Sequence, residues 1–147
     1  MSEGWRVARV VVPVDLSDRS MDAVETALKL APASGVHLIS VLEPLTAIEP
    51  GVVFGTVNDK ERSKAVHAAI DRALAKRQIE GVQVEVRTGP PGLTICDYAD
   101  DVDAELIVLS SHGRTGLRRL LIGSVAEVVV RHARVPVLVL RARKTDN

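Results

Sequence analysis

The chain has 147 residues, 46% of them hydrophobic but only 2% aromatic, and nineteen basic residues balance nineteen acidic ones. That length suits one domain able to bury roughly 70% of its unfolded surface without a disulfide or metal, and the scarcity of aromatics requires a core of Val, Leu, Ile and Ala. The balanced charge excludes the electrostatic footprint of a general nucleic-acid binder and offers no polybasic membrane anchor. Cys96 is the single cysteine, so no internal disulfide can form and a reducing compartment fits. The apolar run at 10–14 is too short for a membrane span, and no export-type leader accompanies it. The expectation is a cytoplasmic protein of one domain, residues 1–147, with neither a nucleic-acid nor a membrane partner.

In chain order, the first strand is "VARVVVPV" from Val7, and Met21, Val24, Leu28 and Ala31 then recur at helical spacing. A second strand, "VHLISVL" from Val36, precedes a helix whose core face is Val66, Ala69, Ile70, Ala73 and Leu74. The third strand is "VQVEVR" from Val82, followed by a helix that starts at Pro91 and runs through Leu93, Cys96 and Ala99. The fourth strand, "ELIVLS" from Glu105, leads to a helix beginning near Ser124 with Val125, Val128 and Val129, and "VPVLVL" from Val135 is the fifth strand. This alternation predicts an α/β fold of three layers (α/β/α), a five-stranded parallel sheet with helices on both faces. Gln83, Glu85 and Arg87 suit an edge, and so does Pro136, which removes a ladder donor. Strands three and five are therefore the edges. The order 3-2-1-4-5 satisfies both, whereas a flavodoxin-like 2-1-3-4-5 would bury the third strand. Its switch point lies between strands one and four, where open α/β sheets bind ligands beyond the carboxyl ends.

The segment "SSHGRTGLRRLLIGS", residues 110–124, follows the fourth strand and packs three glycines and three arginines between aliphatic runs. Glycines permit close backbone approach, arginines suit phosphates, and a helix start presents amides to an anion. With "PVDLS" closing the first strand and "SSHGRTGLRRLLIGSVAEVVVRHARVPVLVL" closing the chain's last third, the sequence resembles the universal stress protein (UspA-like) family of adenine-nucleotide-binding α/β domains. Nucleotide-binding members carry G-x2-G-x9-G-[ST] after strand four. Here Gly113, Gly123 and Ser124 match, and Ser110 stands where the first glycine would be. The resemblance implies ATP as the ligand, with Mg²⁺ as a candidate companion, and a pocket in which Pro13 lines the base. It further implies that Asp15 reaches the ribose or adenine, that Val41 contacts adenine, and that Gly113, Gly123, Ser124 and Val125 cradle the phosphates. It also implies a homodimer through the strand from Val135 to Leu140, whose apolar edge would otherwise invite uncontrolled pairing.

Several local features admit two readings. "SVAE" from Ser124 is a capping-box signature, which explains Ser124 and Glu127 without a ligand but leaves the glycines unexplained. Arg114, Arg118 and Arg119 either clamp phosphates, with Arg114 nearest, or form a solvated face. The stretch 43–59, "EPLTAIEPGVVFGTVND", is a lid or a surface loop with an apolar anchor. His112 beside Ser110 and Ser111 makes a poor nucleophile-base pair, and His37, His67 and His132 lack ligand spacing. Cys96 reads as a small buried hydrophobe. Neither a P-loop nor a dinucleotide fingerprint occurs in position. Three functions follow: an ATP-binding stress-response protein whose occupancy is the signal, a nucleotide-independent homodimer acting on a protein partner, and an ATPase or phosphotransferase. No dedicated hydrolytic base is visible, so slow hydrolysis is the most an enzyme reading supports.

Overall fold

The computed structural model describes residues 4–45, 58–111 and 122–141. Five strands, β1 (Val10–Pro13), β2 (Val36–Leu42), β3 (Gln83–Thr88), β4 (Leu106–Ser110) and β5 (Val137–Leu140), alternate with helices α1 (Asp18–Leu30), α2 (Asp59–Lys76), α3 (Pro91–Asp101) and α4 (Ser124–His132). A 3-10 turn, Ala33–Gly35, leads into β2. The strands make one parallel sheet in the order β3-β2-β1-β4-β5. Val10 sits opposite Val36 on one side and Leu106 on the other, which places the reversal of strand order between β1 and β4.

Burial explains why these strands take these places. Val10, Val11 and Val12 are wholly buried, as a central strand covered on both faces requires. No residue of β3 or β5 is fully buried, so the polar side chains of β3 can sit at an edge without cost. Side chains alternate between two cores. Val10, Val12, Leu38, Leu106 and Val108 pack beneath α1 and α2 with Met21, Val24 and Ile70. Val11, Ile39, Ile107 and Leu109 pack beneath α3 and α4 with Ile95, Ala99 and Val129. Arg77, just past α2, bridges to α1 through Asp22 at 2.9 Å and Glu25 at 3.3 Å. No helix among the described residues is long and apolar enough to cross a membrane.

The structure corrects several boundaries and faces. β1 is shorter than its aliphatic run, because Val7 N bonds Leu30 O at 2.9 Å and Ala8 N bonds a Glu105 carboxylate oxygen at 3.3 Å instead of joining the ladder. β5 starts after Pro136, which has no N–H to pair and contributes only its carbonyl, accepting from Ile107 N at 3.0 Å. In α2 only Ile70 and Leu74 of the expected face are buried, since the helix lies over the β3 edge. In α3, Cys96 and Ala99 are buried as the spacing predicts, but Leu93 is 44% exposed and Gly92 takes the inner position in its turn. A Cβ on Gly92 would lie 2.4 Å from Val128 Cγ1, so α3 and α4 meet backbone to side chain there and Leu93 is turned outward.

Candidate functional site

A cavity of about 320 Å³ opens at the carboxyl ends of β1 and β4. Its walls include seven of the residues singled out from the sequence: Pro13, Asp15, Val41, Ser110, Gly123, Ser124 and Val125. Gly113 and Arg114, like His112, Arg118 and Arg119, lie outside the described residues, and so does most of the 43–59 stretch. The cavity also takes in Val14, Ser20, Ile39, Pro91, Ile95, Leu109, Ser111 and Ala126, which sequence reasoning did not single out. Ile39 and Val41 share one face of β2, and Pro91 and Ile95 are one helical turn apart on α3, so the wall away from α1 is apolar and flat. Alternation and helical spacing carried that signal, but a cavity wall and a core face have the same pattern.

The β1 end is tightly wired. Val14 N donates to Ile39 O at 2.8 Å, carrying the β1–β2 pairing one residue past the strand. Asp15 N then donates to Ser20 Oγ at 3.3 Å, and Ser20 Oγ donates to Ser17 O at 3.0 Å. Ser17 is the N-cap of α1, its side chain accepting from Ser20 N at 3.2 Å. The Asp15 carboxylate folds back on the same serine. Its Oδ1 accepts from Ser17 N at 3.0 Å and from Ser17 Oγ, an Asx turn closed twice. Between them Leu16 takes φ 67°, a left-handed conformation that costs a non-glycine residue roughly 1–2 kcal/mol. Strain of that kind persists where surrounding bonds fix it, and it concentrates at ligand sites.

The β4 end is open by comparison. Ser111 N donates to Leu140 O and Ser111 O accepts from Gly123 N at 2.8 Å, so one buried residue ties β4 both to β5 and to the start of α4. The capping box expected at Ser124 does not form. Gly123 is the N-cap, no side chain caps the helix, and Ser124 is its first helical residue. Glu127 N bonds Gly123 O at 2.9 Å, while the Glu127 carboxylate pairs with Arg131 at 2.9 Å and points along the helix. The amides of Ser124, Val125 and Ala126 therefore precede the first intrahelical donor, Glu127 N, and lie at the cavity end with the helix dipole behind them. Val125 is 39% exposed and lines the cavity, as the resemblance implied, while Ala126 and Val129 take the inner face of the helix.

Ser110 continues the β4 face of Leu106 and Val108, toward α1, and stands half-exposed at the cavity rim. It also lines an open groove of about 560 Å³ along α1, with Arg19, Lys29 and Arg141.

Other reactive side chains are placed elsewhere. Cys96 is buried, and burial, with Asp100 and Asp97 nearby, pushes its thiol above the ordinary value, so little thiolate forms at neutral pH. Burial, with Arg9 adding repulsion, holds the His37 imidazole below its usual value, and its Nδ1 lies 3.5 Å from Tyr98 Oη. His67 pairs with Asp71 and His132 with the Val128 carbonyl. Among the described residues no three His, Cys, Asp or Glu side chains gather in a way that could hold a metal ion.

With this geometry in view, the comparisons with known proteins agree. The model of the universal stress protein family matches residues 7–141. A universal stress protein of Methanocaldococcus jannaschii is 30% identical over 144 residues, covering 94% of this chain and 84% of its own. The chain spans about half the length of other curated relatives, among them one of Mycobacterium tuberculosis, 34% identical over 144 residues and covered over 45% of its length. The solved UspA of Lactobacillus plantarum superposes with a TM-score of 0.72 at 28% identity, covering 92% of this chain and 99% of that one. A universal stress protein solved in complex with cAMP superposes at 0.58 with 25% identity, covering 90% and 95%.

Proposed function

This chain belongs to the universal stress protein family, and we propose that it binds an adenine nucleotide, ATP, in the cavity between β1 and β4 and acts in stress response through its occupancy. The observation that carries this reading is the uncapped start of α4 at Gly123 and Ser124, at a cavity whose lining also includes the apolar side chains of Ile39, Val41, Pro91 and Ile95. An apolar slot takes a purine ring, and free helix-start amides take phosphate oxygens. Asp15 meets the nucleoside between them, Pro13 lines the base, and Gly113, Val125 and Arg114 complete the phosphate end. The cAMP-bound relative supports the adenine choice. In this reading occupancy rather than turnover is the signal, hydrolysis is slow or nil, and Mg²⁺ serves the phosphates when present.

Calorimetric titration of the purified protein with ATP, ADP, AMP and cAMP tests the reading, together with a phosphate-release assay. Saturable ATP binding without appreciable release supports it. No binding by any of the four nucleotides replaces it with the nucleotide-independent partner-binding homodimer, and rapid release with the ATPase.

The homodimer through residues 135–140 belongs to the same proposal. Pro136 O and Leu140 O accept from β4, so the alternate backbone groups, those of Val137 and Val139, face away from the sheet. Val139→Pro removes one outward donor at an edge where proline is tolerated. Sedimentation should show the parent as a dimer and this variant as a folded monomer.

A further inference from the structure

We propose that Ser17 is a positioning residue for the nucleotide site, fixing the Asp15 carboxylate against the cavity so that it meets the hydrogen-bond donors of the bound nucleoside. The inference rests on the adenine-nucleotide reading above and adds a residue to it that does not itself line the cavity.

The geometry sets Ser17 two tasks. As the N-cap of α1, its Oγ accepts from Ser20 N at 3.2 Å. As a double donor, its amide at 3.0 Å and its hydroxyl both bond the same carboxylate oxygen of Asp15. A hydroxyl can do both at once because it donates one proton and accepts through its lone pairs. An exposed aspartate would otherwise sample several rotamers, and two bonds to one oxygen leave the carboxylate a single orientation. The left-handed Leu16 between them turns the chain back so that the Ser17 amide can reach it. Ser20, buried, locks the arrangement from the backbone side by accepting from Asp15 N.

The two tasks can be separated by substitution. Ser17→Asp keeps an excellent N-cap and adds a charge favoured at a helix start, but it deletes the hydroxyl donor and sets a second carboxylate beside Asp15. Ser17→Thr keeps donor and cap. Ser17→Ala loses both. The measurements are thermal unfolding without ligand and ATP affinity by calorimetry, on the full chain, for these three variants, for Asp15→Ala, and for Asp15→Ala combined with Ser17→Ala.

The expected result is that Ser17→Asp melts with the parent but binds ATP roughly tenfold or more weakly, the worth of a hydrogen bond to a charged group, while Ser17→Thr binds as the parent does. In the double variant, Ser17→Ala adds less than half of its separate effect on affinity, because it acts through a carboxylate already removed. Parent-like affinity in Ser17→Asp, or full additivity in the double variant, overturns the positioning role while leaving the nucleotide site standing. A parent that binds no ATP overturns the nucleotide reading and this inference with it.

Discussion

Two helices begin at the same cavity, and their starts are finished in opposite ways. α1 is closed by its own side chains, with Ser17 capping Ser20 N and Asp15 folded onto Ser17. α4 begins at a glycine with no side-chain cap, and the acid three residues in, Glu127, is turned to Arg131. A helix start partly capped by its own side chains, as Ser17 and Asp15 cap the Ser20 and Ser17 amides, offers less to an anion than one with no side-chain cap, which is disposed to take a phosphate from outside. In the proposed reading, the contrast orients the nucleotide with its nucleoside toward α1 and its phosphates toward α4.

The strongest way to break this contrast is to make the second start resemble the first. Gly123→Asp installs an N-cap acceptor where the phosphate would lie. We expect α4 to gain a few tenths of a kcal/mol, up to about 1, and ATP affinity to fall roughly a hundredfold or more, as a carboxylate opposes the phosphate at close range. Chemical denaturation and calorimetry on the same sample read both. Unchanged affinity would move the phosphates elsewhere.

A second perturbation displaces the open start without touching it. At Gly92, an added Cβ would meet Val128 Cγ1 at 2.4 Å and Val128 Cβ at 2.5 Å, so a rotamer change cannot relieve Gly92→Ala. Overpacking of this kind costs about 2 kcal/mol, and with α4 pushed from α3 the nucleotide should bind more weakly as well. Denaturant midpoints give the first effect, titration the second.

Smaller effects sharpen the comparison. Ser17→Ala removes the α1 cap and should lower stability by about 1 kcal/mol, whereas Ser124→Ala, at a position that caps nothing, should leave the melting temperature nearly unchanged and act on ATP affinity. The smallest expected change is in Ser110→Gly. A half-exposed serine at the rim adds one hydroxyl near the ligand, so affinity should shift by about 1 kcal/mol or less, as a modest gain or none. Tight binding appearing only in the glycine variant would make Ser110 a gate and favour the partner-binding reading.

The sheet was legible because edges and centres place different demands on a strand. Gln83, Glu85 and Arg87 mark β3 as an edge, Pro136 marks β5, and Val10 to Val12 have the two-sided apolar character of a centre. Once that order stands, the switch point follows, and Pro13, Asp15 and Ser110 follow as strand ends, while Val41 came only with the family resemblance. What stayed hidden has a common cause. Ile39, Pro91 and Ile95 face a cavity, but a cavity wall is as apolar as a core, and only the packing of α3 separates the two. Leu93 shares a helical spacing with the buried Cys96 and Ala99, and what turns it outward is the meeting of Gly92 with Val128, a tertiary fact. S-x-x-E at Ser124 failed as a cap because the helix starts one residue earlier than the motif assumes, at a Gly123 carbonyl that the Glu127 amide reaches first.

The bond from Gly123 N to Ser111 O, 2.8 Å, has a bearing on how the family can vary. It joins a residue held by the sheet to the start of α4, so the segment between Ser111 and Gly123 is a closed ring whose closure entropy is one contribution to the folding free energy. That entropy grows with the logarithm of length, and doubling the excursion costs only about 0.6 kcal/mol. For the part of the sequence nearest the proposed phosphates, ring closure by itself thus sets only a weak limit on length.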